Sequence, residues 1–220
     1  MKFTDELKRR SQPIWNAIFD HPFIKELGNG TLSNESFFYF IVQDWLYLQA
    51  FSRVLCILAS KAVSTEYVKM FAEHAAFAVE VESSMHPKLA KEKGLPFKEL
   101  EKAQRAPITQ AYTRHLLTVA HEGSFAEAVA AVIPCYWTYL LVGKRLTKSI
   151  PNDPVYAEWI KLYDSEDFGK TVAQVLELIN KLSKKIDKRE KMKIIENYMV
   201  SLKYEYLFWD QAYHLKSWPL

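Results

Sequence analysis

Cys135, Asp44 and Glu205 are the side chains of this 220-residue chain whose types and spacing could do chemistry. Cys135 lies on a stripe with steps of three and four: Phe125, Ala128, Val132, Cys135, Tyr139, Val142 and Leu146. Such spacing marks a helix face turned toward a core. Two other segments repeat the ladder with a carboxylate in an apolar slot. One is Phe37, Ile41, Asp44, Leu48, Phe51, Leu55; the other is Ile195, Tyr198, Leu202, Glu205, Trp209, Ala212. An ionised carboxylate is costly to bury alone, so it shifts its pKa or finds hydrogen bonds. One buried acid is commonly a member of a structural network. Two, with a thiol on a third stripe, point to a catalytic pocket inside a helix bundle. Periodicity alone leaves the structural network open as an alternative.

The elements that must position these groups read as helices. The first covers about residues 3–19 and ends near Asp20-His21-Pro22, because a residue before proline is pushed out of the helical region. A short helical turn leads to Gly28-Asn29-Gly30. Ser33, with Asn34 and Glu35, caps a long helix to about residue 62. A third helix runs over about 64–85 and stops before His86-Pro87, and Pro96 falls in a looser stretch. Further helices span about 107–120 and 125–147, the latter central. Pro151 and Pro154 break the chain before a short helix that ends near Tyr163. Ser165-Glu166-Asp167 caps a helix to about residue 184, and the last runs over about 187–214. No strand-like alternation and no repeat appears. Short connections imply antiparallel neighbours, so the expectation is an all-α bundle forming one domain over 1–220. Pro134 removes a main-chain hydrogen bond inside its helix at a cost of ~3 kcal/mol. The resulting bend would present Cys135 to a cavity, or is simply tolerated at a helix contact.

Composition narrows the function classes. Hydrophobic content of 49% with 14% aromatic suits a globular core. A net charge of +3 is too small to argue for nucleic acid, and the densest basic stretch, 181–191, is interrupted by Asp187 and Glu190. The N-terminus has no apolar signal core, and the longest uncharged run, 128–143, falls short of the ~20 residues of a membrane span. The expectation is a soluble cytoplasmic protein, with no membrane partner and reduced thiols. Cys56, between Leu55 and Ile57, reads as core packing. The histidines imply no metal: His74 and His86 are out of phase, and His115 and His121 diverge further. His74 shares a face with Tyr67, Met70, Phe77 and Val81, as a satisfied core histidine would. Glu82 falls on an apolar ladder and is left outside the site. No glycine-rich phosphate loop appears, so neither metal nor nucleotide is implied.

Pro134-Cys135-Tyr136-Trp137-Thr138-Tyr139, Gln43-Asp44-Trp45-Leu46-Tyr47, Tyr204-Glu205-Tyr206-Leu207-Phe208-Trp209 and His21-Pro22-Phe23 together resemble the TenA/thiaminase II family. The match runs in order over essentially the whole chain. The resemblance implies a haem-oxygenase-like helical fold without haem, no cofactor, and a homotetramer. It implies thiamine salvage, by hydrolysis at the carbon that joins a 4-amino-2-methylpyrimidine ring to its leaving group. The small-molecule substrate would be the aminomethyl pyrimidine or thiamine. Cys135 would be the nucleophile and Glu205 the acid and base. Asp44 would hold the 4-amino group and tune the thiol. The resemblance places Tyr47 and Tyr112 near the thiol, where their hydroxyls would support a thiolate. It has Tyr139 and Tyr163 contact the pyrimidine, with Phe208 flanking the ring.

Two competing readings stand beside this one. The same fold can host haem or metal redox chemistry, for which His21 and fold analogy are the support. A non-enzymatic pyrimidine-binding or regulatory protein is the other.

Overall fold

The computed structural model describes residues 2–92 and 102–219; the side chains of Glu82, Met85 and Ala90 lie outside that description, as does Pro96 with its stretch. Among the described residues the secondary structure is helical, with no strand. Side-chain caps set most of the starts. Ser33 opens α3 (Asn34–Lys61), Ser64 opens α4 (Thr65–Glu80) and Ser124 opens α7 (Phe125–Leu146). Asp153 opens α8 (Pro154–Tyr163), Ser165 opens α9 (Glu166–Leu182) and Asp187 opens α10 (Lys188–Tyr213). Each side-chain oxygen accepts a main-chain N–H two or three residues on, which stabilises a helix start by ~1 kcal/mol. At the N-terminus α1 (Phe3–Asp20) ends and α2 (Pro22–Asn29) begins at His21, whose Nδ1 accepts from the Phe23 N–H at 3.1 Å. Gly30, at φ +74°, closes α2 in the left-handed region.

The third helix does not stop where the sequence pattern placed its end. After α4 the chain makes a π-helical turn, Val81–Met85, and continues as α5 (His86–Glu92). His86 keeps right-handed helical angles (φ −60°, ψ −47°) although a proline follows. The wider turn, in which the His86 N–H reaches Val81 O, opens the ladder just ahead of Pro87. A proline has no N–H and clashes with a carbonyl one normal turn back, and the widened register accommodates both effects. The remaining helix, α6 (Pro107–Glu122), carries its proline at the first position, where no N–H is needed.

α7 is the central element. It runs unbroken through Pro134, and all but two of the residues from Ala126 to Gly143 are buried. It packs against α6, α8, α9 and α10, while α3 packs against α4, α6 and α10. The three ladders of the sequence therefore belong to three mutually neighbouring helices: α3 with Asp44, α7 with Cys135 and α10 with Glu205. Cys56 is a correction: it is exposed. It follows Leu55 by one position, about 100° round α3, so Leu55 and Leu58 turn inward while the thiol faces out. α3 and α7 are long and apolar enough, by length and composition, to cross a membrane, which the uncharged run alone did not indicate. Of their most apolar stretches, 67% and 83% is buried against other helices.

Candidate active site

A cavity of about 440 Å³ opens among α3, α4, α7, α8 and α9. Asp44, Cys135, Tyr139 and Tyr163 stand in its wall, with apolar surface from residues such as Phe51 and Phe168. Cys135 retains partial exposure, and the surface it exposes is cavity wall. Tyr163 reaches the wall because α7 and α8 approach closely. A Cβ at Gly143 would come within 2.7 Å of the Tyr163 carbonyl carbon. The Thr147 hydroxyl then ties down Asp164 at 2.7 Å, and the rings of Tyr139 and Tyr163 lie 4.8 Å apart.

Glu205, Tyr47, Tyr112 and Phe208 are placed differently. They are 1–3% exposed and do not line the cavity. They form a buried layer on the other side of Cys135. Within it the Tyr112 hydroxyl donates to Glu205 Oε1 at 2.6 Å. The Tyr47 ring lies 5.1 Å from that of Tyr112 and 5.9 Å from that of Phe208. Among the described residues the Tyr47 hydroxyl makes no full hydrogen bond, yet it faces the thiol and favours its ionised form.

The electrostatics follow from burial. Burial pushes the Glu205 carboxyl up to about 8; the Tyr112 hydroxyl opposes the shift, and the charge of Asp44 adds to it. Burial pushes the Cys135 thiol well above its usual value, and the charges of Glu205 and Asp44 push in the same direction. Tyr47, Tyr112, Tyr139 and Tyr163 are likewise held protonated by burial. At neutral pH the site thus stores protons on both sulfur and Glu205. Tyr112 reaches Glu205 rather than the thiol, and Asp44 tunes the thiol upward, away from thiolate.

Over residues 8–215 the sequence matches the model of the TENA/THI-4/PQQC family. The chain belongs to this family. A relative from Halalkalibacterium halodurans, an aminopyrimidine aminohydrolase, is 34% identical over 99% of this chain and 98% of its own. The TenA homologue protein from P. horikoshii OT3 superposes with a TM-score of 0.90 at 29% identity, covering 97% of this chain and 99% of that one. A Shewanella denitrificans domain of unknown function with a heme oxygenase-like fold has a TM-score of 0.74 at 14% identity over 96% of this chain and 92% of its own. That likeness speaks for the fold alone, and the fold is the one the TenA resemblance implied.

Two features of the site in this TENA/THI-4/PQQC member escaped the sequence reading, His86 behind the wall and His74 within it. His86 is wholly buried, and its Nε2 lies 3.0 Å from Asp44 Oδ2. The extra residue of the π turn shifts the α4 ladder, so Val81, His86 and Leu89 face inward. No pattern in the sequence marks that turn. His74 is a satisfied histidine as expected, with Nδ1 3.1 Å from the Tyr136 hydroxyl and Nε2 3.3 Å from Gln174 Oε1. It is also part of the cavity wall. Among the described residues, no group of three or more His, Cys, Asp or Glu side chains is placed to hold a metal ion.

Proposed function

We propose that this chain is a thiamine-salvage hydrolase of 4-amino-2-methylpyrimidine compounds, releasing 4-amino-5-hydroxymethyl-2-methylpyrimidine and an amine or thiazole. The observation that carries the reading is a thiol, Cys135, in the wall of a cavity of about 440 Å³ that Asp44 also lines, with the buried Glu205 carboxyl held by the Tyr112 hydroxyl outside that wall. The name and full-length likeness of the Halalkalibacterium relative support it.

In this account Cys135 Sγ adds to the ring carbon beside the substituted one, and the ring nitrogen takes the Glu205 proton. The thiol proton passes through the Tyr47 and Tyr112 hydroxyls to the carboxylate so formed, which balances the step. The 4-amino lone pair then expels the leaving group, and Asp44 stabilises the positive charge that develops on that nitrogen. Water attacks the exocyclic methylene, and its proton goes to the departed amine or, when thiazole leaves, to solvent. Reversal of the first step releases sulfur and restores Glu205. This is covalent catalysis with an acid–base partner. Glu205 lies outside the cavity wall, so seating the ring includes a side-chain movement that opens the wall toward it.

The test is turnover of 4-amino-5-aminomethyl-2-methylpyrimidine and of thiamine by wild type and Cys135→Ser. Wild type is expected to form the hydroxymethyl product, and the variant to form none above background. Equal turnover by both proteins, or none by either, overturns the reading. Binding of ligand with equal affinity by both proteins and turnover by neither marks a binding protein.

A further inference from the structure

We propose that His86 is the positioning residue for Asp44, and that the pair is the unit that recognises the amino edge of an aminopyrimidine; the inference rests on the function proposed above. Asp44 has one carboxylate oxygen engaged, Oδ2, by His86 Nε2 at 3.0 Å. Its side chain also stands in the cavity wall, where a ligand amino group would meet it. A carboxylate anchored by one oxygen has a fixed plane, so the other oxygen is aimed before the ligand arrives. Preorganisation of that kind replaces the rotational entropy a free carboxylate would lose on binding.

Three observations separate this role from ordinary core packing. His86 is wholly buried, and its Nδ1 has no hydrogen-bond partner among the described residues. A core histidine retained for stability would have both ring nitrogens satisfied, as His74 does through Tyr136 and Gln174. His86 also follows a π turn, a costly element that recurs at functional sites. Finally, Val81 at the start of that turn lines the cavity, so one local distortion both shapes the wall and seats the imidazole behind Asp44.

The experiment compares two ligands by calorimetry: 4-amino-5-hydroxymethyl-2-methylpyrimidine and the same ring without its 4-amino group. The proteins are wild type, His86→Leu, which fills the space without a donor, and His86→Gln, whose amide nitrogen stands about where Nε2 does. A hydrogen bond to a charged group implies a loss of roughly tenfold to a hundredfold in His86→Leu for the amino ligand. Affinity for the deamino ligand should stay within about twofold, a difference too small for one lost hydrogen bond. His86→Gln should regain most of the discrimination. Equal weakening of both ligands in His86→Leu would make the histidine merely structural and overturn the proposal. Full discrimination retained in that variant would overturn it as well. If His86→Leu does not fold, His86→Met, which also lacks a donor, takes its place and its amino-to-deamino ratio is read the same way. Failure of wild type to bind the amino ligand would bring down the functional reading, and this inference with it.

Discussion

The two sides of Cys135 are built from different materials. Toward the cavity stand Asp44, Tyr139 and Tyr163, buried polar groups that line its wall and are held by tertiary contacts such as the His86 hydrogen bond and the Gly143 approach. Away from it stand Glu205, Tyr112, Tyr47 and Phe208, sealed from solvent and coupled mainly to one another. Low dielectric acts on both sides, but only the first opens on the cavity. The wall can aim hydrogen bonds at a ligand, whereas the buried layer can keep a carboxyl protonated at neutral pH. Catalysis of the proposed kind needs both, on opposite sides of one sulfur.

Substitutions should therefore split into two classes. Glu205→Gln, in the buried layer, is expected to lower kcat by roughly 10²–10⁴ while leaving ligand affinity within a fewfold, as loss of general acid catalysis would. Steady-state kinetics with calorimetry checks it, and a loss confined to KM would erase the contrast between the layers.

Glu205 should also impose pH dependence. Its carboxyl titrates near 8 in the fold against 4.5 as the ordinary value. The native state therefore holds a proton that the unfolded chain has released. Stability from this group is complete below pH 4.5 and is lost as pH rises toward 8, with a slope of at most about 1.4 kcal/mol per pH unit. Thermal unfolding of wild type should weaken over that window relative to Glu205→Gln, and wild-type kcat/KM should fall as pH passes about 8. Parallel melting curves for the two proteins would count against the buried proton.

A smaller effect belongs to the wall. Gly143→Ala drives a methyl group into the Tyr163 backbone at 2.7 Å, and backbone cannot yield as a side chain can. A destabilisation of about 1–3 kcal/mol is expected, with a raised KM because Tyr163 shifts; denaturant melts and kinetics read the two effects. The subtlest shift is in the pH profile of Tyr112→Phe, a change that also takes one hydroxyl out of the proposed proton relay and so lowers kcat. The tyrosine hydroxyl holds the Glu205 pKa down, so its removal should move the alkaline limb of kcat/KM to higher pH. A limb that moves to lower pH would reverse the sign given to that hydrogen bond.

Much of this was legible in the sequence because its determinants are local. Ser33, Ser165 and the prolines at 22 and 154 mark helix ends by chain chemistry alone, and the observed boundaries follow them. Asp44, Cys135 and Glu205 stood out because each interrupts or joins an apolar ladder on one helix. What could not be read depends on contacts across the chain. His86 meets Asp44 from 42 residues away, and it does so through a π turn that shifts the ladder by one residue. Pro87, read as a stop, is carried within a helix for the same reason. Cys56 was misplaced because four apolar neighbours in a row carry no phase. The division of the site into wall and buried layer is likewise a property of packing that ladder positions do not encode.

The most direct measurement is a crystal structure of the complex with 4-amino-5-hydroxymethyl-2-methylpyrimidine. The account predicts the ring in contact with both layers: its reactive carbon about 3–3.5 Å from Cys135 Sγ, a ring nitrogen bonded to Glu205 and the amino group on Asp44. A ring held only at the cavity mouth, with Glu205 still walled off, would contradict it.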